Sequence, residues 1–447
     1  MPVIRREMLA ARAVMRLGQA TSRIQHEDTS LKRPLKEYVK INFRPTFKWD
    51  GLEEELMLSM RLAHFACVLA GLGAVMAAPG AVDSAQPARR NSGPIKPKVM
   101  IIDMFSTEAE AWYGIPEFDL LAQNITVLGL SPLYPDVHCT ANSDVCQVIN
   151  GQAEINAAAT IASLVASPLF DLTNTYFFIA GTAGANPNVA TIGGVSFARY
   201  AVQVTLQYEI DGREIPSNFS TGYFPFGSFA PDQYPTSIYG TEVFEFNDDL
   251  RELAVGFASK AKLNDSDANI AYRANYPQAA AKAGPAVVAC DVATDDTWYS
   301  GALLSDAFDK TVKLFTNGTG VYCATAQEDN ATAEALLRAA LHKKVDFSRI
   351  IVMRTFGNFD RPYPGESVLQ NLVYAPPVLF LPSVMNIYLA GVKVVEGILK
   401  DWDSTFEKGV KATNYIGDIF GSLGGTPDFG PGKTAEPLPL RRRTIRG

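Results

Sequence analysis

The chain has 447 residues, 47% of them hydrophobic and 19% charged, and a formal net charge of -7 at pH 7. That is enough for one large domain or two ordinary ones with an ample core. Its acidic balance argues against a nucleic-acid or anionic-membrane partner.

Residues 1–56 are basic at first (Arg5, Arg6, Arg12, Arg16), polar, and without a sustained apolar period. Met57 to Arg61 then open an apolar run, Leu62 to Ala78, that ends in small residues before Pro79. A positive charge, an apolar segment and a small-residue exit are the parts of a secretory signal peptide. We therefore expect a natural start at Met57 or Met60, with 1–56 a disordered, non-native extension and 57–78 the leader. The alternative for residues 60–78 is a membrane anchor whose protein faces outside; the run is barely long enough to span. Residues 79–97, rich in Pro, Ser and Ala, read as a disordered lead-in. Outside the leader the cysteines form an even set, as expected in an oxidising compartment. The expected bridges are Cys139–Cys146, local, and Cys290–Cys323, long-range. Asn124, Asn218, Asn264, Asn317 and Asn330 each open a glycosylation triplet. Asn124 lies beside a strand and Asn330 beside a candidate site, and neither is expected to be modified.

From Lys98 onward short apolar runs alternate with amphipathic ones. Val99–Ile102, Ile125–Leu128, Tyr176–Ile179, Val202–Tyr208, Ala286–Ala289, Val321–Ala324 and Ile350–Met353 are predicted strands. Gln152–Ala166, Asp248–Lys262, Ala302–Phe315, Ala331–Lys343 and Val384–Lys400 are predicted helices. Such alternation predicts an α/β domain over residues 98–420 with a mostly parallel or mixed central sheet. Gly222–Tyr239, rich in aromatics, Gly and Pro, predicts an ordered loop close to a site. Residues 421–447 predict a solvated Gly/Pro tail. After Ala78 the sequence offers no apolar run of about twenty residues, the length a membrane span needs, so a transmembrane path within this chain is not expected.

The stretch on which the domain is organised is Tyr176–Ile179 running into Ala180-Gly-Thr-Ala-Gly184. Small residues there predict a loop whose backbone N–H groups approach a ligand closely. In α/β sheets ligands sit beyond the carboxyl ends of strands. Other predicted strand ends carry polar groups too: Glu108 and Glu110, Asp295-Asp-Thr-Trp-Tyr299, Gln327-Glu328-Asp329, and Arg354 through Asn358 and Asp360 to Arg361. Acids at helix starts are also favoured by the helix dipole, without any function. Together with the glycine stretch, these ends describe one crevice. His138 and His342 sit in no metal-ligand spacing, so neither a histidine zinc site nor a Ser-His-Asp hydrolase fits. Gly430-Pro-Gly-Lys-Thr434 imitates a P-loop, but Pro427 holds the place of its first glycine.

Ile179-Ala-Gly-Thr-Ala-Gly184, Ser196-Phe-Ala-Arg-Tyr200 and Arg354-Thr-x-x-Asn-Phe-Asp-Arg361 resemble the fungal purine nucleoside permease family, which in turn looks like the nucleoside phosphorylase and nucleosidase superfamily. The resemblance implies a nucleoside-phosphorylase-like three-layer fold with a mixed central sheet, purine nucleosides as ligands, no cofactor, and at least a dimer. It implies that Gly181, Thr182, Ala183 and Gly184 receive phosphate or the nucleophilic water. Glu328 would hold the ribose hydroxyls, Trp298 would stack on the base, and Asn358 would face purine N7. Glu108 or Glu110 would activate water. Because an asparagine cannot release a proton, either Asn358 only hydrogen-bonds the purine or Asp360 is the acid. The stretch 180–184 lacks an arginine, which favours water over phosphate unless Arg199 or Arg354 folds in. The expected protein is a secreted or cell-wall purine nucleosidase. The alternatives are a phosphorylase, or a nucleoside binder that serves a separate membrane carrier.

Overall fold

Period-two alternation within the first predicted strand divides the interior of the domain in two. The computed structural model describes residues 93–427 and 429. Its first strands are β1 (Val99–Asp103), β2 (Gln123–Thr126), β3 (Asp136–Cys139), β4 (Val145–Ile149), β5 (Tyr176–Ala185), β6 (Val195–Ala198) and β7 (Tyr200–Gln203). A small hairpin, β8 (Tyr208–Glu209) with β9 (Tyr223–Phe224), stands outside the main sheet. Then follow β10 (Val243–Glu245), β11 (Val287–Ala289), β12 (Asp291–Thr294), β13 (Tyr322–Ala326), β14 (Ile350–Phe359) and β15 (Gly417–Asp418). Met100 and Ile102 of β1 join a core with the helices Glu154–Ala166 and Asp329–Leu341. Val99 and Ile101 join another with Asp248–Ala258 and Leu381–Lys400. Helix, sheet and helix are thus three layers, because successive side chains of a strand point to opposite faces.

The sheet runs β15-β10-β7-β12-β13-β5-β1-β4-β3-β2, with β14 joining β5 to β6 and β11 beyond β6. It is mixed, as expected. β5 is parallel to β1 and β14 and antiparallel to β13. Both expected disulfides are present, Cys139–Cys146 and Cys290–Cys323. The first staples directly opposed residues of antiparallel β3 and β4. Among the glycosylation triplets Asn124, Asn218, Asn264 and Asn317 are exposed. Asn330 is buried against Thr294 and Glu154.

Several expectations need correction. Ala180–Gly184 is no loop: β5 continues to Ala185, because β14 pairs with it throughout. The helical stretch Pro377–Lys400, which includes the helix Leu381–Lys400, is apolar and long enough to cross a membrane by length and composition. Just over half of its apolar window is buried in this domain, where Ile387, Ala390, Val394 and Ile398 fill the second core. The stretch Gly222–Tyr239 lines no part of the site; Tyr223 and Tyr234 pack on Phe308 and Phe315 of the helix Ala302–Phe315. The lead-in is ordered from its last residues, since Ile95 bridges Phe170 and Pro97 accepts a hydrogen bond from Thr175. At the far end Phe429 is buried against Tyr200 and Tyr415, so the packed domain outruns residue 420. The expected leader 57–78, the segment 1–56 and the imitation P-loop lie outside the described residues.

Gly391 sets how closely the helix Leu381–Lys400 approaches the sheet. A Cβ there would meet the Trp112 ring at 2.5 Å. Gly391→Ala is therefore expected to destabilise the protein by about 1–3 kcal/mol through overpacking, read as a lower midpoint in urea unfolding.

Candidate functional site

The site begins as a gap in a hydrogen-bonded ladder. β1 pairs with β5 as far as Ile179, and β13 takes up the same edge only at Gly184. In between, a side chain does what a strand would have done. The short helix Ser106–Glu110 follows β1 without a side-chain cap. Instead Glu108 reaches back, its Oε2 accepting the Met104 N–H at 2.8 Å. Its Oε1 accepts from the Thr182 N–H at 2.6 Å and the Thr182 hydroxyl at 2.7 Å. The carboxyl is buried. Loss of solvation raises its pKa to about 7, against the opposing pull of Arg354 and these donors.

Arg354, in β14, is the centre of charge. Its guanidinium is 2% exposed. It donates to Asp329 Oδ1 at 2.6 Å, Glu328 Oε2 at 3.0 Å and the Thr182 carbonyl at 3.1 Å. Glu328 Oε1 also accepts the Ala153 N–H. Behind Glu108 lies Asp103, fully buried, bonded to Trp112 and Gln147. Four carboxyls thus share the surroundings of one guanidinium. Burial pushes Asp103, Glu108 and Glu328 up, with Glu108 raising Asp103 and Asp329 raising Glu328 further. Arg354 is held firmly protonated by Asp329 and Glu328, despite its burial.

Glu108, Glu328 and Arg354 border a cavity of about 480 Å³. Of the residues predicted for the site, Glu108, Thr182, Ala183, Gly184, Trp298, Glu328, Arg354 and Asn358 line it. A bulge at Gly357 aims Asn358 inward: the register of β14 on β5 slips between Phe356 and Asn358, which then sits opposite Gly184. Bulges next to active sites commonly re-aim a side chain in this way. The Gly184 N–H donates to the Thr325 hydroxyl at 2.8 Å. Gly181 stands just behind the wall, where a Cβ would strike Met104 and Arg354 at 2.5 and 2.7 Å.

Three more predicted residues fall elsewhere. Glu110 is exposed on the outer side of its helix, and it does not line the cavity. Arg199 is bound to Glu245 beyond the lining, so it does not fold in toward 180–184. Asp360 is buried with its oxygens taken by Arg361 and Tyr322, so it presents no acid to the cavity. Trp298 does reach the cavity, but at its mouth, 65% exposed. Phe105, Tyr299, Leu379 and Phe380 form the apolar wall, with Phe105 and Phe380 stacked at 6.5 Å. Phe380 was not visible as a site residue because it follows a Pro-rich turn rather than a strand. Among the described residues no cluster of three or more His, Cys, Asp or Glu side chains has a metal-binding arrangement.

Residues 96–411 match the family model described as purine nucleoside permease (NUP). A purine nucleoside permease of Candida albicans (strain SC5314) is 46% identical over 341 residues, covering 75% of this chain and 83% of that protein. A probable purine nucleoside permease of Schizosaccharomyces pombe is 40% identical over 315 residues, 69% of this chain and 90% of the other. Among solved structures, a 5'-methylthioadenosine/S-adenosylhomocysteine nucleosidase of Helicobacter pylori aligns at 12% identity and a TM-score of 0.43, over 69% of this chain and all of that one. Futalosine hydrolase of the same organism aligns at 12% identity and a TM-score of 0.41, over 68% and 98%.

Removing the central cation leaves buried carboxylates without their partner. Arg354→Met is expected to lower folding stability by about 3–5 kcal/mol, measured by urea denaturation near neutral pH. A loss under about 1 kcal/mol would mean the carboxyls are neutral without it.

Proposed function

The chain belongs to the purine nucleoside permease family, and on that footing we propose that its cavity takes a purine nucleoside and hydrolyses the bond between base and sugar. The observation that carries this reading is Glu108. A carboxylate offers about four lone-pair positions, and the protein fills three of them at Glu108. One is left for a water in the cavity. A base with a pKa of about 7 is half-ionised at neutral pH, the condition under which a general base works best.

Cleavage builds positive charge on the ribose as the bond to the base lengthens. Glu108 and Glu328, both in the cavity wall, are placed to stabilise that charge. Glu328 keeps acceptor capacity for a ribose hydroxyl. Asn358 donates a hydrogen bond to the purine, on the nitrogen that gains electrons as the base departs. It cannot hand over a proton, so the roughly 10²–10⁴-fold that a general acid contributes is absent, and slow turnover follows.

Water is favoured over phosphate as the nucleophile. The Thr182 and Gly184 N–H groups, the donors an anion would need, are taken by Glu108 and Thr325. Arg354 is engaged by Asp329, Glu328 and the Thr182 carbonyl. Binding without chemistry is the second reading, favoured by Asn358 in the acid's place and by the relatives' names. The protein would then capture nucleoside outside the cell for a separate membrane carrier. Its two disulfides suit an oxidising compartment in either case.

Purified protein incubated with inosine or guanosine is expected to release base and free ribose at the same rate with or without phosphate. Ribose 1-phosphate as product would overturn hydrolysis, and intact but bound nucleoside would establish the second reading. Because burial raises the Glu108 pKa, the carboxyl is protonated and inert below about 7 and charged above it. kcat/KM should therefore climb with pH through neutrality and level off on the alkaline side. Glu108→Gln should abolish that rise and lower kcat by at least ~10²-fold while nucleoside still binds.

A further inference from the structure

The guanidinium of Arg354 borders the cavity with each of its N–H groups already engaged. Such a group offers about five donor positions. Nε donates to Asp329 Oδ2 at 3.2 Å, and Nη2 donates to Asp329 Oδ1 at 2.6 Å and Glu328 Oε2 at 3.0 Å. Nη1 donates to the Thr182 carbonyl at 3.1 Å and to the Met104 sulfur at 3.4 Å. Asp329 takes the largest share, one whole edge of the fork. It is fully buried at the first position of the helix Asp329–Leu341, where the positive end of the helix dipole favours a carboxylate. Unlike its neighbour Glu328, Asp329 does not line the cavity. Glu108, whose bonds go to Met104 and Thr182, feels the guanidinium through space. The charged groups facing these two side chains come from three places. They are Asp103 at the end of β1, Glu108 in the short helix after it, and Glu328 and Asp329 at the start of the longer helix.

We propose that Asp329 is a positioning residue for the reaction: it binds the guanidinium along Nε and Nη2, offsets its charge, and so leaves Glu108 basic enough to take a proton from water near neutrality. This deepens the hydrolytic reading of the cavity and rests on it. A cation beside a carboxyl favours the charged form and weakens it as a base. Arg354 exerts that pull on Glu108, and burial outweighs it. Asp329 keeps the pull small, because a guanidinium already paired with a carboxylate presents less net charge to a third group. The same carboxylate raises Glu328, so both acids in the cavity wall respond to it in one direction. Two-point binding also fixes the plane of the guanidinium. Its Nη2 corner is thereby turned to Glu328 and its Nη1 corner to the Thr182 carbonyl.

Asp329→Asn keeps the shape of the side chain and removes its charge. The guanidinium is then less compensated, and Glu108 gives up its proton more readily. The midpoint of the rise of kcat/KM with pH, measured with inosine, is expected to fall by about one unit. Its alkaline plateau should drop as well, because a weaker base takes a proton from water less readily. Asp329→Glu, which keeps the charge, should hold the midpoint near that of the wild type. Asp329→Ser, expected to act as Asp329→Asn does, serves where the asparagine variant does not fold, and circular dichroism at each pH checks the fold of every variant. The ionisation of Glu108 is also read without turnover, from the carboxyl carbon chemical shift of protein labelled at glutamate. The Glu108 signal is the one that Glu108→Gln lacks. Activity lost with the midpoint in place, by rate and by carbon shift alike, is what a purely structural role predicts and would overturn this assignment while hydrolysis stands. Wild-type protein that cleaves no nucleoside would overturn the hydrolytic reading, and this role with it.

Discussion

One buried guanidinium governs the chemistry of this domain. Arg354 carries a single positive charge into a region where Asp103, Glu108, Glu328 and Asp329 are all shielded from water. One cation cannot neutralise four anions, and the dry surroundings penalise every uncompensated charge. The protein resolves the excess through protons: Asp329 binds the guanidinium with two contacts, while Asp103, Glu108 and Glu328 are pushed toward their neutral forms. The consequence is a wall whose charge follows pH near neutrality.

The backbone supplies the second requirement, an opening in an otherwise continuous sheet. β5 has neighbours along both edges except where β1 has ended and β13 has not begun. Small residues at 180–184 keep that stretch narrow enough for Glu108, Met104 and Arg354 to close over it. The same smallness that suggests a flexible loop in isolation serves here to let bulky side chains press against a straight strand. This is why a loop is the wrong expectation for Ala180–Gly184 even though the residues do mark the site.

How much of this the sequence discloses depends on the range over which each feature is determined. The apolar runs of β1, the first half of β5 and the first half of β14 announce themselves, as does the helix Ala302–Phe315, whose observed ends coincide with the predicted ones. The strands β3, β4, β10 and β12 do not, being short or mixed in composition, and they exist because neighbouring strands fill their hydrogen-bonding edges. In the site, residues at strand ends are legible because α/β sheets gather them: Glu108, Glu328, Arg354 and Asn358 reach one cavity from three separate strand ends. Asp360 and Arg199 stand at similar places in the sequence yet face elsewhere. Which side of a strand a residue takes near its end depends on a bulge such as that at Gly357, and one inserted residue reverses the pattern. Phe105 and Phe380 meet only through tertiary packing, about which sequence spacing says nothing.

Burial that raises the Glu108 pKa to about 7 also couples this carboxyl to whatever fills the cavity. Any neutral molecule that fills the cavity removes water from the one face of this carboxyl that solvent still reaches. Drier surroundings favour its protonated form, so occupancy and proton uptake are linked, and each must promote the other by the same factor. The protein would then hold its ligand more tightly in acid surroundings than in alkaline ones, and release it as the medium turns basic, whether or not a bond is ever broken.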